Sequence, residues 1–319
     1  MRPTTATLDD SPPVAARPAP PLEFGGTDPP RDAAPPARLV LVTYNIRYAV
    51  GSFLISGSLL RRAGLGRPGR RPRLVARHVG AAAAALTDGR RMPRADVVAL
   101  QEADRATLRA GGRHVARELA EAAGMSFVRA AMATPRDEEP KKKQWYLDFE
   151  EQIRRGEEGD TGVALLARVP LADAERVELP WTECAWRPRL ALSAEARLGG
   201  ARLRVFNVHI DPHANLEEQL AQHRAVLDRA DEWRGPCAVL GDFNTLSRRS
   251  CDAARDYLES RGYRTPLPTG TGTWRAGPLR LHADWIFTRG LRVERWGVAR
   301  GLGVSDHWPV WAEVAAEGD

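Results

Sequence analysis

The sequence predicts a mixed α/β (α+β) fold, and three observations lead there. Apolar, β-branched runs of strand length recur along the chain, as in LVLVTYNI, ADVVALQE and RLRVFNVHI. Between them lie segments with apolar residues at helical spacing, such as NLEEQLAQHRAVLDRADEW. With 319 residues, 43% of them hydrophobic, the chain can bury a substantial core.

The elements follow in order. Residues 1–37 hold ten of the 24 prolines and few large apolar side chains. Such a segment cannot bury enough surface to offset its ordering entropy, so a disordered Pro/Ala-rich tail is expected. A single domain is expected over 38–319, opening with the strand LVLVTYNI. Residues 73–88 and 112–124 read as helices, the second with Gly124 as C-cap. Residues 95–102, 161–169, 188–198 and 202–210 read as strands, and Gly199-Gly200 joins the last two as a hairpin. A helix over 215–233 precedes a buried strand over 237–244. Strands over 281–287, 291–298 and 308–314 complete the set. Residues 49–73 and 134–160 read as long loops. The first begins apolar and then carries six arginines.

Composition narrows the function classes. No apolar run reaches the roughly 18 residues a membrane span needs, and MRPTTATLDDSPPVAARPAP has no apolar signal core. A cytoplasmic protein is expected. Cys184, Cys237 and Cys251 are too scattered for a zinc cluster or a disulfide framework. A net charge of +6 suits a polyanionic partner, although the chain is arginine-rich throughout.

The chemistry sits at strand ends. TYNI, ALQE, NVHID, LGDFN, HADWIF and GVSDHWPV each place an amide, carboxylate or imidazole at the border of an apolar run. Each has an ordinary explanation by itself: a turn cap, a solvated strand end, a packed histidine. Together, Glu102, Asp242 and Asp306, with Asn45, supply hard oxygen ligands suited to Mg²⁺ or Mn²⁺. His209 and His213 have a zinc-like spacing, but Pro212 between them and the strand ending at His209 argue against a helical zinc pair. Asp242 and Asn244 share a face if their strand continues through both. A carboxylate such as Asp284 beside His307 would fix the imidazole as a general base requires.

The ordered set TYN(45), LQE(100–102), GVALLAR(162–168), NVHID(207–211), GDFN(241–244), ADWIF(283–287) and SDH(305–307) resembles the endonuclease/exonuclease/phosphatase superfamily. Deoxyribonuclease I, neutral sphingomyelinases and inositol phosphate 5-phosphatases belong to it. The resemblance spans about residues 38–316. It implies a four-layer αββα sandwich with one cleft, and a phosphoesterase that uses water as nucleophile. It implies that Glu102 binds the metal, with Asn45 supporting and Asp306 completing the sphere. Asp284 would orient His307, His209 and Asn244 would contact the scissile phosphate, and Asp242 would align or activate water. The division of the base role between His307 and Asp242 stays open.

His209 stands where the repair branch of the superfamily carries a tyrosine-containing motif, and TLS follows GDFN where 5-phosphatases carry an arginine. The chain therefore looks closer to the deoxyribonuclease I and sphingomyelinase branches. A nucleic-acid or small phosphodiester substrate is favoured, with Arg61–Arg73 holding backbone phosphates. A phospholipid substrate is the alternative, with the apolar 49–60 stretch in peripheral membrane contact. A phosphomonoesterase and a catalytically dead phosphate-binding module are further alternatives; against the last, all eight site positions carry competent side chains. No stable protein partner is expected.

Overall fold

The computed structural model of the chain describes residues 20–30, 34–52, 70–132, 153, 157–182 and 188–317. One sheet takes seven strands: β1 (Glu23–Gly26), β2 (Leu39–Asn45), β3 (Val97–Gln101), β4 (Ser126–Ala131), β5 (Gly162–Ala167), β13 (Leu291–Val298) and β14 (Val310–Ala316). They lie in the order β1-β4-β5-β3-β2-β14-β13. A second sheet takes β6 (Leu171–Glu178), β7 (Leu190–Leu198), β8 (Ala201–His209), β9 (Cys237–Asp242) and β12 (Asp284–Arg289) in the order β12-β9-β8-β7-β6. A small hairpin, β10 (Trp274–Ala276) and β11 (Leu279–Leu281), stands apart. The helices are α1 (Arg70–Thr87), α2 (Val115–Ala123), α3 (Leu216–Asp231) and α4 (Arg248–Ser260).

Strand alternation decides the layering. Leu39 and Leu41 of β2, with Val97 and Ala99 of β3, pack into one core with Val205 and Leu240 of the second sheet. Their neighbours Val40, Val42, Val98 and Leu100 pack into another core against Val75, Val79 and Leu86 of α1 and Leu119 of α2. On the far side, Val226 and Leu227 of α3 and Leu258 of α4 cover the second sheet. The result is the αββα sandwich that the resemblance implied.

Local signals explain the element ends. Gly124 closes α2 in the left-handed conformation at φ 62°. Asn215 and Glu218 form a capping box at the start of α3. Gly199-Gly200 turns β7 into β8, with Leu198 opposite Ala201. Gly241 is required for another reason: a Cβ there would stand 1.9 Å from the Val208 carbonyl oxygen of β8.

Several expectations need correction. Residues 23–26 lie inside the expected tail, yet they form β1 at the edge of the first sheet, antiparallel to β4. Glu23 is held there by His114 Nε2 (2.9 Å) and Arg117 Nη2 (2.7 Å), partners too distant in sequence to read from composition. The run expected as one strand over 281–287 divides: β11 ends at Leu281, and β12 begins at Asp284. Residues 70–72, expected in a loop, open α1 ahead of the helix expected from residue 73. Of the long loops, 53–69 and most of 134–160 lie outside the described residues, as does Cys184. Cys237 and Cys251 are free and buried. Among the described residues no helix is long and apolar enough to cross a membrane.

A fully buried amide links the two sheets. Asn207 of β8 donates to the carbonyls of Leu100 (3.0 Å) and Ala164 (2.7 Å), the last pair before β3 and β5 part. Its own Oδ1 accepts from Gln101 Nε2 (2.7 Å), which also donates to Thr43 Oγ1 at 3.2 Å. Asn207→Ala would strip partners from buried groups that have no water to turn to, each loss costing about 1–3 kcal/mol. We expect a loss on the order of 3 kcal/mol in urea unfolding, well above that of an exposed Asn→Ala change.

Two buried histidines set an acid limit. Burial holds both His223 and His282 neutral, down to about 3 from 6.5. His223 packs on Phe243 (ring centroids 4.6 Å apart) and His282 stacks on Trp285 (3.7 Å). Below pH 6.5 the unfolded chain takes up protons that the folded chain refuses. Their contribution is therefore complete above that pH and falls by roughly 1.4 kcal/mol per pH unit per histidine as pH drops toward 3. A His223→Leu variant should show a shallower decline in melting temperature between pH 6.5 and 4 than the parent chain.

Candidate active site

The inward rows that build the core end in polar residues at one end of the sandwich. β2 runs Leu39, Leu41, Thr43, Asn45 on that face, and β8 runs Leu203, Val205, Asn207, His209. In β9 and β12 the same face ends on Asp242 and Asp284, which lie opposite one another in register. His209 of β8 in turn lies beside Asp242. Period-two patterning thus carries the apolar core upward into a cluster of functional groups.

Asn45 is the junction. Its Nδ2 donates to Glu102 Oε1 (3.1 Å) and to Asp242 Oδ2 (2.8 Å), one carboxylate from each sheet. Its Oδ1 accepts from the Arg47 backbone N–H at 3.0 Å. Glu102 follows the last residue of β3 with φ 52°, a conformation that costs a non-glycine residue about 1–3 kcal/mol. The turn brings its carboxylate alongside Asn45.

His307 is held from behind and free in front. Its Nδ1 lies 2.9 Å from Asp284 Oδ2 and 3.1 Å from Oδ1. Its Nε2 faces Asp242 Oδ2 at 3.7 Å, the same oxygen that His209 Nε2 approaches at 3.7 Å. Burial acts to lower the His307 pKa, but Asp284 and Asp242 outweigh it and push it up to about 10. Burial pushes Asp242 the other way from a normal carboxyl, up to about 7. His209 is held well below its ordinary value by burial and by Arg189.

Donor atoms of Asp242, Asp284 and His307 lie within 4.8 Å of one another, a spacing that could also hold a metal ion. Against that use, both oxygens of the fully buried Asp284 are turned on His307 Nδ1. The group is better described as an imidazole with its orienting carboxylate. The carboxylate suited to a hard divalent cation is that of Glu102, which Asn45 positions through the same amide nitrogen that holds Asp242.

Two predicted residues differ in detail from expectation. β9 stops at Asp242, and Asn244 turns back at φ 51°, so the two do not share a strand face. Asn244 is kept at the site instead by its own N–H to Asp242 Oδ1 (3.0 Å) and by Nδ2 to the Ile210 carbonyl (2.8 Å). Asp306 reaches the same region through Ser305, whose Oγ donates to the Asn45 carbonyl (2.8 Å). Its carboxylate already receives Arg47 (3.2 Å) and Trp274 Nε1 (3.1 Å).

Sequence reasoning passed over Arg47 and Arg189. Arg189 stands immediately before β7, with Nη1 at 3.3 Å from His209. In an arginine-rich chain nothing marks one guanidinium from another. The only local signals were its position beside a strand start and next to Pro188.

A model of the Endonuclease/Exonuclease/phosphatase family matches residues 42–307, from β2 to His307. The chain belongs to that family. It is 33% identical over 159 residues to a UPF0294 protein of Vibrio cholerae, a match covering 48% of this chain and 54% of that protein. The chain thus spans about half the length of the curated relatives it matches. Among solved structures, an endonuclease/exonuclease/phosphatase from Beutenbergia cavernae superimposes with a TM-score of 0.61 at 18% identity, covering 88% of this chain and 72% of that one. The human Nocturnin catalytic domain with bound sulfate gives 0.54 at 15% identity, over 92% and 97% of the two chains. D. rerio TDP2 complexed with a single-stranded DNA product gives 0.53 at 16%, over 88% and 100%. At these identities the structural likeness establishes the fold.

The Asp284–His307 pair gives a direct test. Asp284→Asn removes the negative charge that raises the imidazole, so its pKa should fall from about 10 toward or below 6.5. Titration of the His307 ring protons by NMR in EDTA reads this; an unmoved value would break the assignment.

Proposed function

We propose that this chain is a divalent-metal-dependent phosphodiesterase acting on nucleic acid by direct attack of water. The observation that carries the reading is Asn45, whose single amide nitrogen binds Glu102 and Asp242 while two imidazoles converge on the same Asp242 oxygen. Carboxylates and imidazoles gathered about one point suit in-line displacement at phosphorus.

Glu102, with Asn45 supporting it and Asp306 beside them, would hold Mg²⁺ or Mn²⁺, and the ion would offset negative charge on the phosphate oxygens. The protein's own groups do the rest. Asp242, made more basic by burial, orients the attacking water and takes up its proton. His307, kept cationic by Asp284, faces the phosphate with Nε2 and stabilises the charge developing there. His209 and Arg189 contact a non-bridging oxygen. Asn244 keeps one amide proton committed to Ile210 and offers the other. A positive balance of +6 favours a polyanionic strand.

A second reading is a phospholipid phosphodiester. It is favoured by exposed Leu246, two residues from Asn244, and exposed Leu279 at the tip of the β10–β11 hairpin.

Supercoiled plasmid and bis(4-nitrophenyl) phosphate, each with Mg²⁺ or Mn²⁺, test the proposal. Cleavage should require metal and should fall about 10²–10⁴-fold in His307→Ala, the usual span for removal of a proton-handling or charge-stabilising group. Glu102→Gln should raise the metal concentration needed for half-maximal rate by more than about tenfold, from the loss of a direct ligand. Metal-independent cleavage, or equal cleavage by the His307→Ala variant, would overturn the assignment.

A further inference from the structure

Most arginine clusters in this molecule are balanced by carboxylates. Arg204 and Arg229 share Glu175, Arg261 and Arg289 share Asp231, and Arg105 and Arg129 share Asp160. One cluster is not. Arg275, Arg280 and Arg300 surround the indole of Trp308, with guanidinium carbons 5.5, 5.7 and 5.8 Å from its centroid. Among the described residues none of the three pairs with a carboxylate. Arg275 donates to Ser52 Oγ (3.1 Å) and Arg300 to the Gly272 carbonyl (3.4 Å), both neutral acceptors.

An indole has two faces, so three cations around it must crowd one another. Cation–π attraction is worth only about 0.5–2 kcal/mol per pair, and it leaves the repulsion between the guanidiniums uncompensated. Two buried donors add to the imbalance. Trp308 Nε1, on a side chain with 4% relative exposure, and Arg275 Nε have no acceptor. Positive charge and unused donors in one place call for an anion with several oxygens.

The position is fixed relative to the catalytic centre. Trp308 follows His307 directly, and its N–H donates to the Thr273 carbonyl (2.8 Å). The Arg275 N–H donates to the Asp306 carbonyl (2.9 Å), and Thr273 Oγ1 accepts from the Asp284 N–H (2.9 Å). The hairpin that carries Arg275 and Arg280 is therefore stitched to the segments bearing Asp284, Asp306 and His307. Arg280 and Arg300 are exposed, which suits a chain of phosphates running over the surface better than an enclosed headgroup.

We propose that Arg275, Arg280, Arg300 and Trp308 form a second phosphate subsite, which holds a backbone phosphate of the nucleic-acid strand next to the one being cleaved. The inference rests on the nucleic-acid reading above and adds a reason for it: a substrate with one phosphate leaves this cluster unused.

The test compares the parent chain with an Arg275→Gln/Arg280→Gln/Arg300→Gln variant and the matching triple Lys variant, all checked for equal melting temperature. Binding of a fluorescein-labelled oligothymidylate is followed by anisotropy in EDTA. The Gln variant should bind about tenfold more weakly, with a salt slope shallower by ~0.7 for each phosphate it no longer neutralises. The Lys variant, which keeps the charge, should recover most of the slope. In Mg²⁺, the ratio of kcat/KM for the oligonucleotide to that for bis(4-nitrophenyl) phosphate should fall about tenfold in the Gln variant, in step with the weaker binding.

An unchanged affinity and slope, a ratio that does not move, or equal losses in the Gln and Lys variants would overturn the subsite and leave the cluster as packing. Loss of binding to phosphatidylglycerol vesicles with oligonucleotide binding intact would overturn the choice of nucleic acid. If the parent chain cleaves neither substrate with either metal, the proposed function fails, and the EDTA binding series still decides the subsite by itself.

Discussion

The two sheets are separate hydrogen-bonded objects, and apolar packing between them is tolerant of sliding. Asn207 removes that freedom. Its amide spans the gap to the carbonyls of Leu100 and Ala164 and to the side chain of Gln101, all without access to water. A buried amide satisfied in only one alignment makes every other alignment costly. The candidate site depends on this, because its groups come from both sheets. Asn45 and Glu102 belong to the first, and His209, Asp242 and Asp284 to the second. The hydrogen bond from Asn45 to Asp242 exists only when the sheets are in that register.

Above the link, the site is a balance of charges under burial. Asp284 makes the His307 imidazole cationic, and Asp242 faces that cation with an oxygen that also receives Asn45. Arg47 on Asp306 and Arg189 on His209 extend the pattern outward. Each group has its tautomer or charge set by a neighbour, so little reorganisation is left for the moment of reaction.

The strands and the polar ends at Asn45, His209, Asp242 and Asp284 were legible because one signal served for both. An inward row that is apolar for two or three alternate positions and then turns polar, as in Leu39-Leu41-Thr43-Asn45, announces a buried strand and its functional end together. What was hidden had no such row. β6 lies at a sheet edge with a half-exposed face, and its LADAERVE carries no clear alternation. β1 exists because His114 and Arg117 fasten Glu23 from more than ninety residues away. Arg189 and the arginines round Trp308 do not stand out in a chain with 47 lysines and arginines. For a cation the informative fact is the absence of a carboxylate partner, and only the folded chain reveals it.

The backbone itself separates scaffold from site. Seven described non-glycine residues have positive φ: Arg47, Tyr48, Ala49, Glu102, Ala106, Asp173 and Asn244. Six of them lie just beyond the ends of β2, β3 and β9, where the chain leaves the sandwich; Asp173 alone sits within a strand, at the irregular pairing of β6 with β7. Each such residue costs about 1–3 kcal/mol and persists only where surrounding structure dictates it. Straight continuation of β3 would carry Glu102 to the face opposite Gln101, toward α1 and α2. The turn at φ 52° reverses that and sets the carboxylate beside Asn45. Asn244 is turned in the same way and bonded back to Asp242. Rigid strands bring the functional ends within reach, and local strain at those ends aims the side chains that strand geometry alone would point elsewhere.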